Sequence, residues 1–248
     1  VDDTRRADGT PVIGPAAIAE DRAAGMADEI LRQEYWCSFD AALTGSYYGK
    51  PLEALRAAGR IGRVAWEPAL PVETWWDLGV GDSTAIWFAQ RLGTEVRLID
   101  YLEASGEGLP FYVAALKDKP YAYGRHIAPH DIEVRELGTG KSRRETAQKL
   151  GVRFEVAPAQ SLADGIEAVR GLLTDCWFDA ERCGRGLEAL AQYRRAWNDK
   201  TRDYKPVPLH DWSSHAADAF RYGAVARGAG RLGRAPLRAE AEFRVLKG

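Results

Sequence analysis

Cysteine is scarce in this sequence of 248 residues, and no long apolar run occurs. The three cysteines, Cys37, Cys176 and Cys183, are an odd number without a close CxxC pair, which argues against a disulfide framework or a zinc knuckle. No apolar stretch approaches the ~20 residues that span a bilayer. The first residues also lack a basic and apolar leader. We therefore expect a cytoplasmic protein.

A strong excess of positive charge, which is common in nucleic-acid-binding domains, is missing as well: the net charge is −2. The charges are nevertheless uneven, because residues 227–248 carry five Arg and one Lys against two Glu. Hydrophobic residues at 46% and charged residues at 28% are typical of a globular protein. The composition along the chain predicts a lead-in over 1–70, one domain over 71–228 and a basic tail over 229–248.

The hydrophobic pattern predicts an α/β domain. The lead-in has helical patterns over 18–39 and 52–58. After Pro71, three apolar segments with short Gly-containing connections predict an antiparallel meander over 73–80, 84–91 and 95–101. The later predicted elements are strands over 122–128, 153–157 and 176–179, and helices over 109–118, 142–150, 162–173, 186–198 and 213–226. These elements predict a mixed sheet flanked by helices.

Three aspartates stand where a sheet and a helix can bring them together. Asp77 ends the first meander strand, and Asp131 follows the predicted fourth strand, which should lie beside the first. Asp218 lies on the last helix among apolar neighbours, where a charge is costly unless it is paired or metal-bound. Asp82, across a glycine turn from Asp77, is a further candidate ligand. Such carboxylates predict a site for two Mg²⁺ or Mn²⁺ ions that hydrolyses a phosphodiester.

Basic and imidazole side chains lie close to these acids in the sequence. Lys141, Arg143 and Arg144 form a basic loop and helix start that we interpret as a contact for a DNA backbone. His130 and His215 are candidate phosphate contacts, or plain structural hydrogen-bonding groups. The Gly138–Ser142 segment imitates the end of a phosphate-binding loop, but the required glycine is replaced by Arg135.

Several segments resemble, in matching order over about residues 25–225, the nuclease domain of tailed-phage large terminases. A lead-in segment is similar to the one that joins the family's motor to its nuclease. The segments that carry the resemblance are Arg32-Gln33-Glu34-Tyr35-Trp36-Cys37-Ser38-Phe39, Trp76-Asp77-Leu78-Gly79, Asp82-Ser83-Thr84-Ala85-Ile86-Trp87, Ile99-Asp100-Tyr101-Leu102-Glu103-Ala104-Ser105-Gly106, Pro129-His130-Asp131, Trp177-Phe178-Asp179, Gly186-Leu187-Glu188-Ala189-Leu190 and His210-Asp211-Trp212-Ser213-Ser214-His215-Ala216-Ala217-Asp218-Ala219-Phe220-Arg221-Tyr222.

The resemblance implies a ribonuclease H-like fold and a two-metal endonuclease that cuts concatemeric double-stranded viral DNA during packaging. It implies catalytic acids at Asp77, Asp131 and Asp218, with Asp100 or Glu103 as alternatives to Asp131. Residues 1–70 would then lead in from an ATPase motor that this sequence lacks. The motor, a small terminase and a portal protein are the implied partners, in the cytoplasm of a bacterial host.

Other classes of protein fit parts of the pattern. The Asp-Leu-Gly and Asp-Ser-Thr segments also resemble the first phosphate motif of actin-like sugar kinases and chaperone ATPases, but the sequence has no repeat that would form their second lobe. A resolvase or transposase-like nuclease of the same fold has similar acids. A docking module between motor and portal, with a decayed site, is a non-enzymatic alternative.

Overall fold

The computed structural model describes residues 45–79, 83–135, 140–198 and 201–232, together with Ala19 and Ala23. The strands are β1 (Ile61–Gly62), β2 (Val72–Asp77), β3 (Ser83–Leu92), β4 (Glu95–Ser105), β5 (Tyr123–Ala128), β6 (Phe154–Val156), β7 (Cys176–Asp179), β8 (Arg195–Asn198) and β9 (Asp203–Pro208). The helices are α1 (Gly49–Ala57), α2 (Leu109–Asp118), α3 (Arg143–Leu150), α4 (Leu162–Leu173), α5 (Gly184–Gln192) and α6 (Ser214–Leu232), with a 3-10 helix at His130–Glu133. In these ranges no helix is both long and apolar enough for a membrane span.

Seven strands form one mixed sheet in the order β1-β7-β4-β3-β2-β5-β6. The predicted meander is confirmed, because β3 pairs antiparallel with both β2 and β4. The fourth predicted strand, β5, lies parallel to β2, so the carboxyl ends of these two strands meet at one edge. The α/β architecture and the mixed sheet flanked by helices are therefore as predicted.

Helices cover the sheet on two faces, which we call the α6 face and the α2 face. Trp75 and Trp76 are adjacent on β2, so their side chains point to opposite faces, and neither is exposed to solvent. Trp75 packs in the α6-face core with residues of α1, α4, α5 and α6. Trp76 packs in the α2-face core with residues of α2 and α3. Burial on both faces explains why these strands read as apolar runs.

Helix α6 lies unusually close to the central strands. A methyl group added at Gly223 would lie 2.0 Å from the Trp75 indole, so glycine is what permits this approach. The Phe220 ring meets Trp75 edge to face, and the Trp87 indole N–H donates a 2.9 Å hydrogen bond to the carbonyl of Ala216. These contacts fix how far along the sheet the first turns of α6 lie.

A β-bulge in β4 changes which side chains face α6. The pairing with β3 shifts between Phe88 and Ala89, whose partners are Asp100 and Leu98, so Ile99 is an extra residue in β4. Leu98 belongs to the α6-face core before the bulge, and Tyr101 belongs to it after the bulge. Strict alternation from Leu98 would have put Asp100 there instead.

Three predictions about chain organisation had different outcomes. The helix predicted over 186–198 is wrong in its second half, because α5 ends at Gln192 and β8 pairs with β9 in an unpredicted hairpin. Part of the predicted lead-in packs on the sheet: Tyr48 and Leu52 join the core, and β1 pairs with β7. The division into 1–70, 71–228 and 229–248 stays a prediction, and the helix predicted over 18–39 falls almost entirely outside the described residues.

Candidate active site

Asp77 lies at the carboxyl end of β2, on the α6 face. Its Oδ2 atom is 2.9 Å from Nδ1 of His215, and the two side chains are 17% and 15% exposed. An ionised carboxylate only accepts hydrogen bonds, so His215 carries its proton on Nδ1 when Asp77 is charged. The sequence predicted either a phosphate contact or a structural hydrogen bond for His215, and the structure shows a hydrogen bond from His215 to the central acid.

The charge on Asp77 is unfavourable in its surroundings. Burial raises the pKa of the Asp77 carboxyl, and the negative charges of Asp218 and Asp131 raise it further, while the bond to His215 opposes both effects. Burial also raises the pKa of Tyr222 to about 12, and the same three acids add to that shift. The fields of all three predicted acids therefore overlap at this edge of the sheet.

The first turn of α6 is anchored, and this positions two functional candidates. The Asp211 carboxylate accepts hydrogen bonds from the backbone N–H and the hydroxyl of Ser213, at 2.9 and 2.6 Å. His215 and Asp218 lie three residues apart and therefore on one side of the helix. The Asp218 carboxylate, 27% exposed, accepts a 2.8 Å hydrogen bond from Arg221, one turn further along.

Asp131 comes from the neighbouring strand. Because β5 runs parallel to β2, the 3-10 helix that follows it begins at the same edge, with buried Ile132 holding the turn to the α2-face core. The Asp131 and His130 side chains are exposed there. The structure thus brings Asp77, Asp131 and Asp218 to one edge from two strands and a helix.

Asp100 and Glu103, the two alternatives to Asp131, lie on opposite faces of the sheet. Asp100 points to the α2 face, where it accepts hydrogen bonds from Lys119 at 2.5 Å and Tyr121 at 3.0 Å. Glu103 lies on the α6 face, 14% exposed, and accepts a 2.8 Å bond from the Tyr101 hydroxyl. The bulge at Ile99 is the cause of this difference, and it leaves Asp100 away from the other acids.

The predicted basic contacts are only partly available. Arg143 donates a 3.1 Å hydrogen bond to the carbonyl of Leu78, next to Asp77, so it is close to the acids. Arg144 forms an ion pair with Glu133. Lys141 is exposed at the start of α3. Asp82 lies outside the described residues, as does most of the predicted basic tail.

The described part of the chain contains no group of three or more His, Cys, Asp and Glu side chains close enough together to hold a metal ion. Asp77, Asp131 and Asp218 are thus close enough to affect one another electrostatically, but their side chains do not converge on one point as metal ligands do. Sequence reasoning missed Arg221, although its spacing of three residues from Asp218 on a predicted helix is a usable signal.

No family model matches this chain, and no curated protein matches it. Solved structures do. The large terminase of a thermophilic bacteriophage matches with a TM-score of 0.51 and 16% identity over 66% of this chain. The chain spans 42% of the length of that protein. The P22 large terminase nuclease domain matches with a TM-score of 0.51 and 18% identity, over 68% of this chain and 89% of the P22 domain.

The two matched proteins differ in how much of their own length this chain covers. The chain covers less than half of the complete terminase but nearly all of the isolated P22 nuclease domain. The chain therefore has the ribonuclease H-like fold of large-terminase nuclease domains.

Proposed function

We propose that this chain is a metal-dependent DNA endonuclease of a phage-packaging terminase. The observation that carries the proposal is the setting of Asp77, whose largely buried carboxylate accepts a hydrogen bond from His215 and lies in the electric fields of Asp131 and Asp218. A buried acid whose charge is opposed by two other acids is typical of a functional site. The shared fold with a terminase nuclease domain supports the choice of reaction.

The donor chemistry of this edge fits hard divalent cations. Mg²⁺ and Mn²⁺ prefer carboxylate oxygens. A cation would offset both the burial that raises the pKa of Asp77 and the negative charges of Asp218 and Asp131 that raise it further. Asp77, Asp131 and Asp218 would hold two such ions, with Asp82 as a further ligand. Two divalent ions held by these residues would supply activation of the attacking water and stabilisation of the charge on the leaving oxygen of a phosphodiester.

Residues of the chain itself orient the acids and contact the DNA. His215 fixes the orientation of the Asp77 carboxylate through its Nδ1–H, and Arg221 does the same for Asp218 through a single oxygen, Oδ1. Arg143, held at the carbonyl of Leu78, is positioned to meet a backbone phosphate that approaches Asp77. Lys141, Arg144 and His130 are weaker DNA contacts in this scheme.

The partners follow from the proposed role. The substrate is double-stranded DNA, and residues 1–70 connect to an ATPase motor, because the thermophilic-phage terminase that matches is more than twice the matched length. Small terminase and portal protein are the expected partners of the assembled motor. The site of action is the cytoplasm of a bacterial host.

Plasmid cleavage tests the proposal. The chain is incubated with supercoiled plasmid in Mn²⁺, Mg²⁺ or EDTA, beside the single variants Asp77→Asn, Asp131→Asn and Asp218→Asn. We expect nicking and linearisation that disappear in EDTA. Asp77→Asn should lose about 100- to 1,000-fold in rate, since an electrostatic group at the reaction centre contributes roughly 2.7–4 kcal/mol.

Asp100→Asn is the matched control, because it removes a carboxylate from the other face of the same sheet. It should retain cleavage at a temperature where it is folded. Full activity of Asp77→Asn, or equal activity in EDTA and Mn²⁺, would contradict the proposal.

A further inference from the structure

A second functional position lies on the α6 face beside the candidate active site. Glu103 pairs with Ala85, which pairs with Asp77, so these residues form one row across β4, β3 and β2. With strands ~4.8 Å apart, Glu103 lies roughly 10 Å from Asp77 along this row. The Tyr101 hydroxyl donates a hydrogen bond to Glu103, and burial raises its pKa. The charges of Glu103 and Asp77 raise this pKa further and the charge of Arg185 opposes them, so Arg185 lies near the same group.

Arg185 is held in place without strong hydrogen bonds. Its guanidinium lies 3.8 Å from the centre of the Trp212 ring, while Nε is 3.7 Å from Glu103 and Nη1 is 3.8 Å from Glu188. Both carboxylate distances exceed the length of a hydrogen bond. The Arg185 side chain is 52% exposed, so N–H donors in the plane of the stacked guanidinium remain open to solvent.

Other arginines near the acids are already engaged. Arg221 donates to Asp218 at 2.8 Å, and Arg143 donates to Leu78 at 3.1 Å. Stacking on an aromatic ring restricts the guanidinium while leaving its donor edge available, which is the arrangement that suits recognition of a phosphate. Trp212 is 40% exposed and precedes the anchored start of α6, so it forms a fixed platform.

We propose that Arg185, stacked on Trp212, binds a backbone phosphate of the DNA strand next to the phosphate that is cleaved. The inference rests on the proposed nuclease function. It extends the proposed DNA-binding surface from Asp77 on β2, across β3, to Glu103 on β4. Glu103 and Glu188 orient the guanidinium in the free protein, and the phosphate replaces these weak ion pairs with direct hydrogen bonds. Because the contact is made to a non-reacting phosphate, it contributes to binding in the ground state and the transition state alike.

The test measures DNA binding separately from cleavage. Anisotropy of a labelled DNA duplex is recorded in EDTA at several salt concentrations for the wild-type chain and for Arg185→Gln, Arg185→Lys and Trp212→Leu. Arg56→Gln, which removes an exposed charge from α1, is the matched control. Thermal midpoints establish that each variant is folded.

We expect Arg185→Gln to weaken Kd about 10-fold, as for the loss of a hydrogen-bonded charged contact. The slope of log Kd against log salt should fall by about 0.9, which corresponds to one phosphate. Arg185→Lys should keep the slope but lose part of the affinity, and Trp212→Leu should behave in the same way. In Mn²⁺, Arg185→Gln should raise KM for cleavage and leave kcat unchanged.

An unchanged Kd and salt slope for Arg185→Gln in a wild-type chain that cleaves DNA would overturn the Arg185 site and leave the nuclease proposal standing. Binding through Arg185 without metal-dependent cleavage would overturn the nuclease proposal and leave the DNA contact standing. A loss for Arg56→Gln as large as that for Arg185→Gln would also overturn the site, because it would show a nonspecific effect of charge.

Discussion

Each face of the sheet carries an aspartate with little exposure to solvent, and the surroundings of the two charges are opposite in sign. On the α2 face, Asp100 accepts hydrogen bonds from the Lys119 ammonium and the Tyr121 hydroxyl. On the α6 face, Asp77 has an imidazole partner and lies in the negative fields of Asp218 and Asp131. One acid is neutralised by a cation of the fold, and the other is left with an excess of negative charge.

The difference teaches how to separate structural from functional acids when both are buried. A carboxylate that serves the fold has its opposite charge built in, because removing either partner leaves a charge without compensation. A carboxylate that binds a cation has no opposite charge built into the fold. In the protein without the cation, its repulsion by neighbouring acids therefore lowers the stability of the fold. On this basis we assign a structural role to Asp100, and we propose a functional role for Asp77.

The largest expected effect on stability is at Asp100. Asp100→Ala leaves the Lys119 ammonium without its carboxylate, so we expect the free energy of unfolding to fall by about 3 kcal/mol. Urea denaturation followed by circular dichroism measures this. An unchanged unfolding midpoint would mean that the ion pair on the α2 face does not stabilise the fold.

The next effect tests how closely α6 must approach β2. Gly223→Ala places a methyl group 2.0 Å from Trp75, so the helix has to shift, at a cost of about 2–3 kcal/mol, and cleavage should fall with it. Gly171→Ala on α4 meets nothing within 4 Å and should stabilise the protein by about 0.5–1 kcal/mol. Similar changes for the two variants would contradict the close approach.

The buried imidazole of His126, on the α2 face, makes the stability of the protein depend on pH. The Thr74 hydroxyl accepts a 2.6 Å hydrogen bond from the Trp76 indole N–H and shares a second hydrogen bond of 2.6 Å with Nδ1 of His126. Burial lowers the pKa of His126 to about 4. The folded state therefore binds fewer protons than the unfolded state below pH ~6.5, and stability is lost as the pH falls toward 4.

From pH 7 to pH 5 this histidine should remove about 2 kcal/mol of stability. His126→Gln should flatten that part of the pH profile, as measured by urea unfolding midpoints at each pH. A variant whose stability falls as steeply as that of the wild type would show that other groups cause the loss.

The smallest expected effect is at Asp77. Burial raises its pKa in the folded state, so its charge opposes folding at neutral pH, and stability returns as the pH falls and the acid is protonated. Asp77→Asn removes this cost and keeps an oxygen that accepts from His215, so the metal-free protein should gain about 1 kcal/mol at pH 7. Glu181→Gln, an exposed acid, should stay within about 0.5 kcal/mol of the wild type, and a loss of stability for Asp77→Asn would contradict the proposed repulsion.

The order of elements around the site was predictable from local patterns. The three apolar runs after Pro71 and the fourth strand carry strong periodic signals, and the parallel pairing of β5 with β2 follows from that strand order. Asp77 was predictable as a strand-end acid for the same reason. The helix that carries Asp218 was predicted over 213–226, and α6 extends from Ser214 to Leu232.

Contacts between distant segments were not predictable. The bulge at Ile99 depends on the pairing of β4 with β3, and it decides that Glu103 rather than Asp100 faces α6. The β8–β9 hairpin forms because two short segments pair with each other, which overrides the helical pattern that continues past Gln192. The bond between His215 and Asp77 joins residues 138 positions apart.

Locating the cation directly is the most decisive measurement. Crystals of the chain soaked in Mn²⁺ give an anomalous difference map in which manganese is the strongest scatterer. We expect a peak on the α6 face, in contact with Asp77 and at least one of Asp131 and Asp218. Manganese bound elsewhere, with Asp77 still bonded only to His215, would contradict the assignment of this edge as the active site.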